Sequence, residues 1–290
     1  MTGFADEAAR DIDGQIRATQ RLGWRFIEAR GVGGRNLHDI EEREFDAVCE
    51  KLGQAGISVN CFGSAIANWG KRIDQPFDSS LAETKRAVVR MQRLNTKLVR
   101  IMSFAVLPDR EPRDQMREER FSRLRTLVSL FRDAGLVPVH ENCMNYGGMG
   151  YPFTLELLEN VPGLKLVFDT GNPVTSEDFA KSKPYPRQSS WEFYRNVKEH
   201  VEYVHIKDAV HDSETGEHRY TWPGEGQGDV RRIVKDLLDS GYQGGFSMEP
   251  HLKVVFHQHD PGGEEQARLE TYLEYGRRFT KLLEEIGYAV

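Results

Sequence analysis

Cysteine is scarce: the 290-residue chain carries three, Cys49, Cys61 and Cys143, and no Cys-x-x-Cys pair. An odd count without paired spacing excludes a disulfide framework and a thiolate zinc site, so any metal must be held by His, Asp and Glu. A basic excess is lacking too. Lys and Arg total 39 against 45 Asp and Glu, a net charge of −6, which argues against a nucleic-acid binder that tracks phosphates. No apolar run approaches the ~18–20 residues that span a bilayer, and the opening MTGFADEAARD has no signal-peptide h-region. The expectation is a soluble, cytoplasmic protein with neither a nucleic-acid nor a membrane partner. No Gly-x-Gly-x-x-Gly follows the first strand-like segment, which leaves a dinucleotide-binding sheet without its phosphate loop.

What the chain does contain is a unit of roughly 30–40 residues, recurring without linkers, that pairs a short apolar run with an amphipathic stretch. The runs fall at 2–5, 25–28, 57–62, 98–102, 136–141, 164–169, 201–206 and 245–249. They are short, rich in β-branched residues and apolar on both faces, as in a buried parallel sheet. Between them lie helical patterns. Phe45, Val48, Cys49 and Leu52 share one helix face, with Asp39 and Glu42 as a capping box before them and Gly53 as the stop. Phe121, Leu124, Val128 and Phe131 repeat the pattern, Asp229 caps another helix, and Leu269 to Ile286 carry the last. Gly23, Gly56, Gly135, Gly163 and Gly241 precede strands, where helices stop. Eight strands alternating with helices over 1–290 predict a single-domain (β/α)8 TIM barrel. A homo-oligomer is compatible with a barrel of this size, although no segment marks an interface.

Barrel chemistry sits at the C-terminal strand ends. Four successive strands here end in metal-type side chains: Glu141, Asp169, His205 and Glu249. Alternation puts Val137, Val139 and Glu141 on one face, then Val167 with Asp169, then Tyr203, His205 and Lys207, then Ser247, Glu249 and His251. Three carboxylates and one imidazole form an oxygen-rich donor set that suits one divalent ion, Mn²⁺, Mg²⁺ or Co²⁺, better than structural zinc. His140 turns the other way and reads as a hydrogen-bonded core histidine. His38, His211, His218, His257 and His259 fall in loops and read as surface residues. Glu28 and Arg30 end the second strand on one face, either lining the mouth or pairing with each other. Trp69 and Trp222 follow strands in loops, where an indole can stack on a sugar face or pack a lid.

The order Glu141-Asn142, Asp169-Thr170-Gly171-Asn172, His205-Ile206-Lys207-Asp208, Gly224-Glu225-Gly226-Gln227-Gly228-Asp229 and Glu249-Pro250-His251 resembles the xylose-isomerase-like barrels grouped as sugar-phosphate isomerases and epimerases. The resemblance spans the chain from Gly3-Phe4-Ala5-Asp6-Glu7 to the last helix. It implies that Glu141, Asp169, His205 and Glu249 bind metal, and that the two glutamates also move the proton, as in the family's ketose 3-epimerases. Two positions depart from those epimerases. Asn172 stands where they carry His, and His211 where they carry Arg. Lys207 and His251 face inward instead. The family's three-zinc endonucleases need further histidines, one of them at the place of Asn172.

A metal that chelates a carbonyl and a neighbouring hydroxyl acidifies the C–H between them and stabilises the enediolate. One carboxylate then removes the proton and a second group returns it. The resulting expectation is a metal-dependent isomerase or epimerase of a keto-sugar or related polyol. Its catalytic residues would be Glu141, Glu249, Lys207 and His251, with Asn172, Trp69, Trp222 and Glu28 binding substrate. Protonation of a leaving oxygen by Lys207 or His251 would instead give a dehydratase or lyase acting on a keto-inositol or 3-keto-glycoside. A non-catalytic carbohydrate-binding barrel is the third reading.

Overall fold

A computed structural model describes residues 1–252 and 265–288. Eight strands form one parallel sheet: β1 (Thr2–Gly3), β2 (Phe26–Ala29), β3 (Ser58–Gly63), β4 (Leu98–Ile101), β5 (Val137–Glu141), β6 (Lys165–Asp169), β7 (Val201–Ile206) and β8 (Gly245–Met248). Each pairs with its sequence neighbours, β8 pairs with β1, and a parallel bridge from Phe4 to Glu28 joins the end of β1 to β2. The sheet thus curls into the expected barrel, and all eight apolar runs are strands of it. The main helices are α1 (Ile12–Arg21), α2 (Glu42–Ala55), α3 (Asp78–Leu94), α4 (Arg117–Asp133), α5 (Tyr151–Asn160), α6 (Ser190–Val197), α7 (Val230–Asp239) and α8 (Glu265–Glu285). Among the described residues no helix is long and apolar enough to cross a membrane.

Two hydrophobic regions follow from strand alternation. The larger lies between sheet and helices and includes Phe45, Val48, Phe121, Leu124, Phe168 and Phe279. The smaller fills the lumen with Cys61, Val139, Val167 and Tyr203. Two residues further along three of these strands stand Glu141, Asp169 and His205. The lumen plug is therefore the floor of the polar layer above it. Two antiparallel ribbons, Gly31–Val32 with Arg35–Asn36 and Ala209–His211 with His218–Tyr220, follow β2 and β7 at the same end.

Several local expectations are corrected. α2 starts after Glu41 without a side-chain cap, and Asp39 bonds Arg86 instead. Gly53 does not stop α2, which runs to Ala55 and is capped by Gly56 at φ 65°, a left-handed turn that favours glycine. Asp229 does hold the N-cap position of α7, but its side chain makes no capping bond. His38 is not a surface residue: it is fully buried, beside Phe62. His257 and His259 lie outside the described residues.

Candidate metal centre

Glu141, Asp169, His205 and Glu249 meet at the C-terminal mouth, each buried, with one donor atom apiece inside a sphere of mutual distances of 4.8 Å or less. The register explains the meeting. Asp169 lies opposite His205 across β6 and β7, and the Glu249 N–H donates to the Ile206 carbonyl, which extends β8 by one ladder bond. The neighbouring motif residues hold these ends in place. The Asn142 amide bonds both the N–H and the carbonyl of Asp169. One oxygen of Asp169, Oδ1, accepts from the N–H groups of Gly171 and Asn172 at 2.8 and 2.7 Å, which leaves Oδ2 for the centre. Gly171 is required by contact, since a Cβ there would meet Lys207 Cγ at 2.8 Å. The glycine-rich segment 224–228 does not touch the centre. It wraps Asp208, whose carboxylate accepts N–H bonds from Ala209, Gly224, Gly226 and Gly228.

His205 is oriented from behind. Its Nε2 sits 3.2 Å from Glu28 Oε1 and 3.1 Å from Oε2, while Nδ1 has no hydrogen-bond partner and faces Glu141 Oε1 at 3.8 Å. A carboxylate on the far nitrogen is the arrangement that presents a histidine to a metal. Burial works to lower the imidazole's pKa, but Glu28 and Glu141 outweigh it and raise the group to about 10. Glu28 therefore lies under the cluster rather than at the mouth, and it does not pair with Arg30.

Cations surround the carboxylates. Arg100 Nη1 bonds Glu141 Oε2 at 2.9 Å, and the Asn172 amide donates to Oε1 at 3.0 Å. Burial favours the protonated acid, yet Arg100 and His205 hold Glu141 at about 2. Arg30 bonds Glu249 Oε1 at 2.8 Å and grips Asp6 with two N–H groups at 2.9 Å. Lys207 Nζ lies 2.6 Å from Glu249 Oε2 and 3.1 Å from Asp169 Oδ2, as ion pairs without hydrogen-bond alignment. Against the burial penalty, Lys207, His251 and Arg30 keep Glu249 well below the usual carboxylate range. Asp169 shifts the other way: burial raises it, and Lys207 offsets only part of that. Phe4 is stacked under both guanidiniums, whose carbons lie 4.3 Å (Arg30) and 4.9 Å (Arg100) from its ring centre.

The donor set fits one divalent ion. Among the described residues, Asp169 Oδ2, Glu249 Oε2 and His205 Nδ1 have no hydrogen-bond partner, the first two meeting Lys207 as ion pairs. A second group, Glu7, Glu249 and His251, is also close enough for a metal. However, Arg30 already lies 3.4 Å from Glu7 and 2.8 Å from Glu249, which fills that place with charge.

Above the centre opens a cavity of about 340 Å³. Glu141, Glu249, Lys207, His251, Asn172 and Trp69 line it. Trp222 does not: it packs beside Tyr275 and under Arg278, whose guanidinium carbon is 4.3 Å from a ring centre of the indole. His140 is a core residue as expected, with Nε2 3.0 Å from Ser103 Oγ and from Asn145 Oδ1. Sequence reasoning missed Arg100, Glu7 and Tyr220. Arg100 had a readable signal, a lone charge inside an apolar strand run. Glu7 holds His251 from the far end of the chain, its Oε1 2.9 Å from Nδ1 and its Oε2 accepting the backbone N–H at 2.9 Å. Tyr220 reaches the cavity from a ribbon, its ring 5.0 Å from that of His251.

Fold and centre together define a (β/α)8 barrel with an acid-rich, single-imidazole cluster at the C-terminal ends of its strands. Residues 16–274 match the xylose isomerase-like TIM barrel family model, and the chain belongs to that family. Among solved structures it is similar to a xylose isomerase-like TIM barrel protein from Mycobacterium smegmatis in complex with magnesium (17% identity, 96% of this chain and 91% of that chain covered, TM-score 0.68). It is also similar to the probable 3-DHS dehydratase AsbF involved in petrobactin synthesis from Bacillus anthracis (15% identity, 96% and 98% covered, TM-score 0.67). A third is a D-tagatose 3-epimerase-like protein (14% identity, 98% and 97% covered, TM-score 0.70). At these identities the likeness shows the fold. No curated protein matches the chain in sequence.

Proposed function

We propose that the chain is a divalent-metal-dependent isomerase or epimerase of a keto-sugar or related polyol. The observation that carries this reading is the convergence of Glu141, Asp169, His205 and Glu249 beneath a cavity of sugar size. These four would hold the ion, with Mn²⁺, Mg²⁺ and Co²⁺ all suited to the donors. A bound divalent ion supplies Lewis acidity to a carbonyl and the hydroxyl beside it, acidifying the C–H between them. Glu141 and Glu249 enter from β5 and β8, so a sugar lying between them offers a different face to each. One carboxylate takes the proton and the other returns it. Arg100 and Asn172 engage both oxygens of Glu141, and Arg30 engages Oε1 of Glu249, which fixes the carboxylates and keeps them ionised. Asn172 and Trp69 orient the sugar from the cavity wall.

One observation favours a second reading. Glu7 fixes His251 through Nδ1, and Nε2 stands 3.6 Å from Glu249 Oε1 at the cavity. An imidazole so held can hand a proton to a departing hydroxyl or alkoxy oxygen, the step of a dehydratase or lyase acting on a keto-inositol or 3-keto-glycoside. Exchange in D₂O separates the readings. The chain is incubated with Mn²⁺ and a panel of keto-sugars, keto-inositols and 3-keto-glycosides, and deuterium at the carbon beside the carbonyl is followed by NMR. The epimerase reading expects Glu141→Gln and Glu249→Gln each to abolish productive turnover. Loss of exchange in only one variant moves the assignment to the one-base lyase. Exchange that survives in both refutes glutamate as the base.

A further inference from the structure

Lys207 stands where a metal's charge would be. Its Nζ is 2.6 Å from Glu249 Oε2 and 3.1 Å from Asp169 Oδ2, and it donates to Asn172 Oδ1 at 3.1 Å. The first two oxygens belong to the four-residue cluster, and Lys207 is only 3% exposed. Repulsion between an ammonium and a divalent ion is twice that between two single charges, and it is strong where water is excluded. The same lone pairs cannot serve both cations. A lysine is suited to yield, because its charge is compact and its four-carbon stem is flexible, whereas a guanidinium fork would stay engaged. Room to move exists, since Lys207 also borders the cavity.

We infer that Lys207 is the resident counter-ion of the ion-free centre, and that metal entry displaces its ammonium from Asp169 and Glu249 into the cavity, where it meets substrate. This rests on the metal-dependent reading proposed above. It makes loading ordered, ion before substrate. It also means that the chain weakens its own metal affinity to keep the empty centre neutralised. Asn172 ties the two states together, because its amide holds both Lys207 and Glu141.

The test is calorimetric titration of Mn²⁺ into the full chain and into Lys207→Met at fixed pH and salt. The inference expects tighter binding in the variant by at least about tenfold, or ~1.4 kcal/mol, at one ion per chain. Equal or weaker affinity in Lys207→Met overturns it while leaving the metal reading intact. Absence of binding in both proteins overturns the metal reading and the inference with it. Lys207→Met leaves two buried carboxylates short of a cation, so its ion-free fold is at risk. A crystal structure of the wild-type chain soaked in Mn²⁺ therefore gives an independent reading. Nζ beyond about 4 Å from Asp169 Oδ2, the limit of an ion pair, supports displacement. Nζ still in contact with Asp169 beside a bound ion overturns it.

Discussion

Replacing Glu28 by Gln removes a charge and almost nothing of the side chain's shape. Glu28 holds His205 Nε2 at 3.1–3.2 Å and leaves Nδ1 turned to the cluster. At that separation two full charges attract by about 5 kcal/mol at an effective dielectric of ~20, which bounds the effect from above. The part felt by a metal is smaller. Carboxylates that orient a ligand histidine typically tune metal affinity by about 10–100-fold, or ~1.4–2.7 kcal/mol. Glu28→Gln is therefore expected to bind Mn²⁺ about 10–100-fold more weakly than the wild type. The fold should survive, because the amide oxygen can still accept the Nε2–H bond. Competition against a fluorescent chelator gives the affinity, and thermal unfolding by circular dichroism confirms the fold. Unchanged affinity in a folded Glu28→Gln protein would refute the assignment of His205 Nδ1 as a ligand held by Glu28.

The two tryptophans should separate. Trp69→Ala is expected to raise KM with little change in melting temperature, because Trp69 borders the cavity. Trp222→Ala should leave KM alone and cost about 1–2 kcal/mol of stability through lost packing and the Arg278 contact. The reverse pattern would show that the wrong indole has been placed at the substrate. His140 makes stability pH-dependent. Burial holds its imidazole down at about 4 in the folded chain, below the unfolded ~6.5. Between those values the unfolded chain binds more protons, so the penalty is absent above ~6.5 and grows as pH falls towards 4, reaching about 3 kcal/mol. Urea unfolding of wild type and His140→Gln at pH 7.5 and 4.5 isolates the effect. A stability difference between the two proteins that does not change with pH would contradict it.

The barrel was legible because parallel strands covered on both faces read as compact apolar runs. Even the two-residue β1, Thr2–Gly3, lay within the short run at 2–5, the weakest of the eight. The polar layer was legible for the same reason that the lumen plug is regular: Val139 to Glu141, Val167 to Asp169 and Tyr203 to His205 are steps of two along strands. What escaped depends on barrel closure. Arg30 reaches Glu249 across 219 residues and Glu7 reaches His251 across 244, pairings that no local period encodes. Loops escaped as well. His38 and Trp222 both follow strands in segments without periodicity, so their burial is decided by what the helices leave room for. Asp39 had the spacing of a cap, and Arg86 from α3 took its carboxylate.

The central claim is tested most directly by metal analysis of the purified chain beside Asp169→Ala. After dialysis against Mn²⁺ and removal of free ion, inductively coupled plasma mass spectrometry should find one divalent ion per wild-type chain. Asp169→Ala removes a proposed ligand, the carboxylate whose other oxygen accepts from the N–H groups of Gly171 and Asn172, and it should retain no stoichiometric metal while remaining folded. No ion in the wild type, or full occupancy at wild-type affinity in Asp169→Ala, would contradict a centre built from Glu141, Asp169, His205 and Glu249.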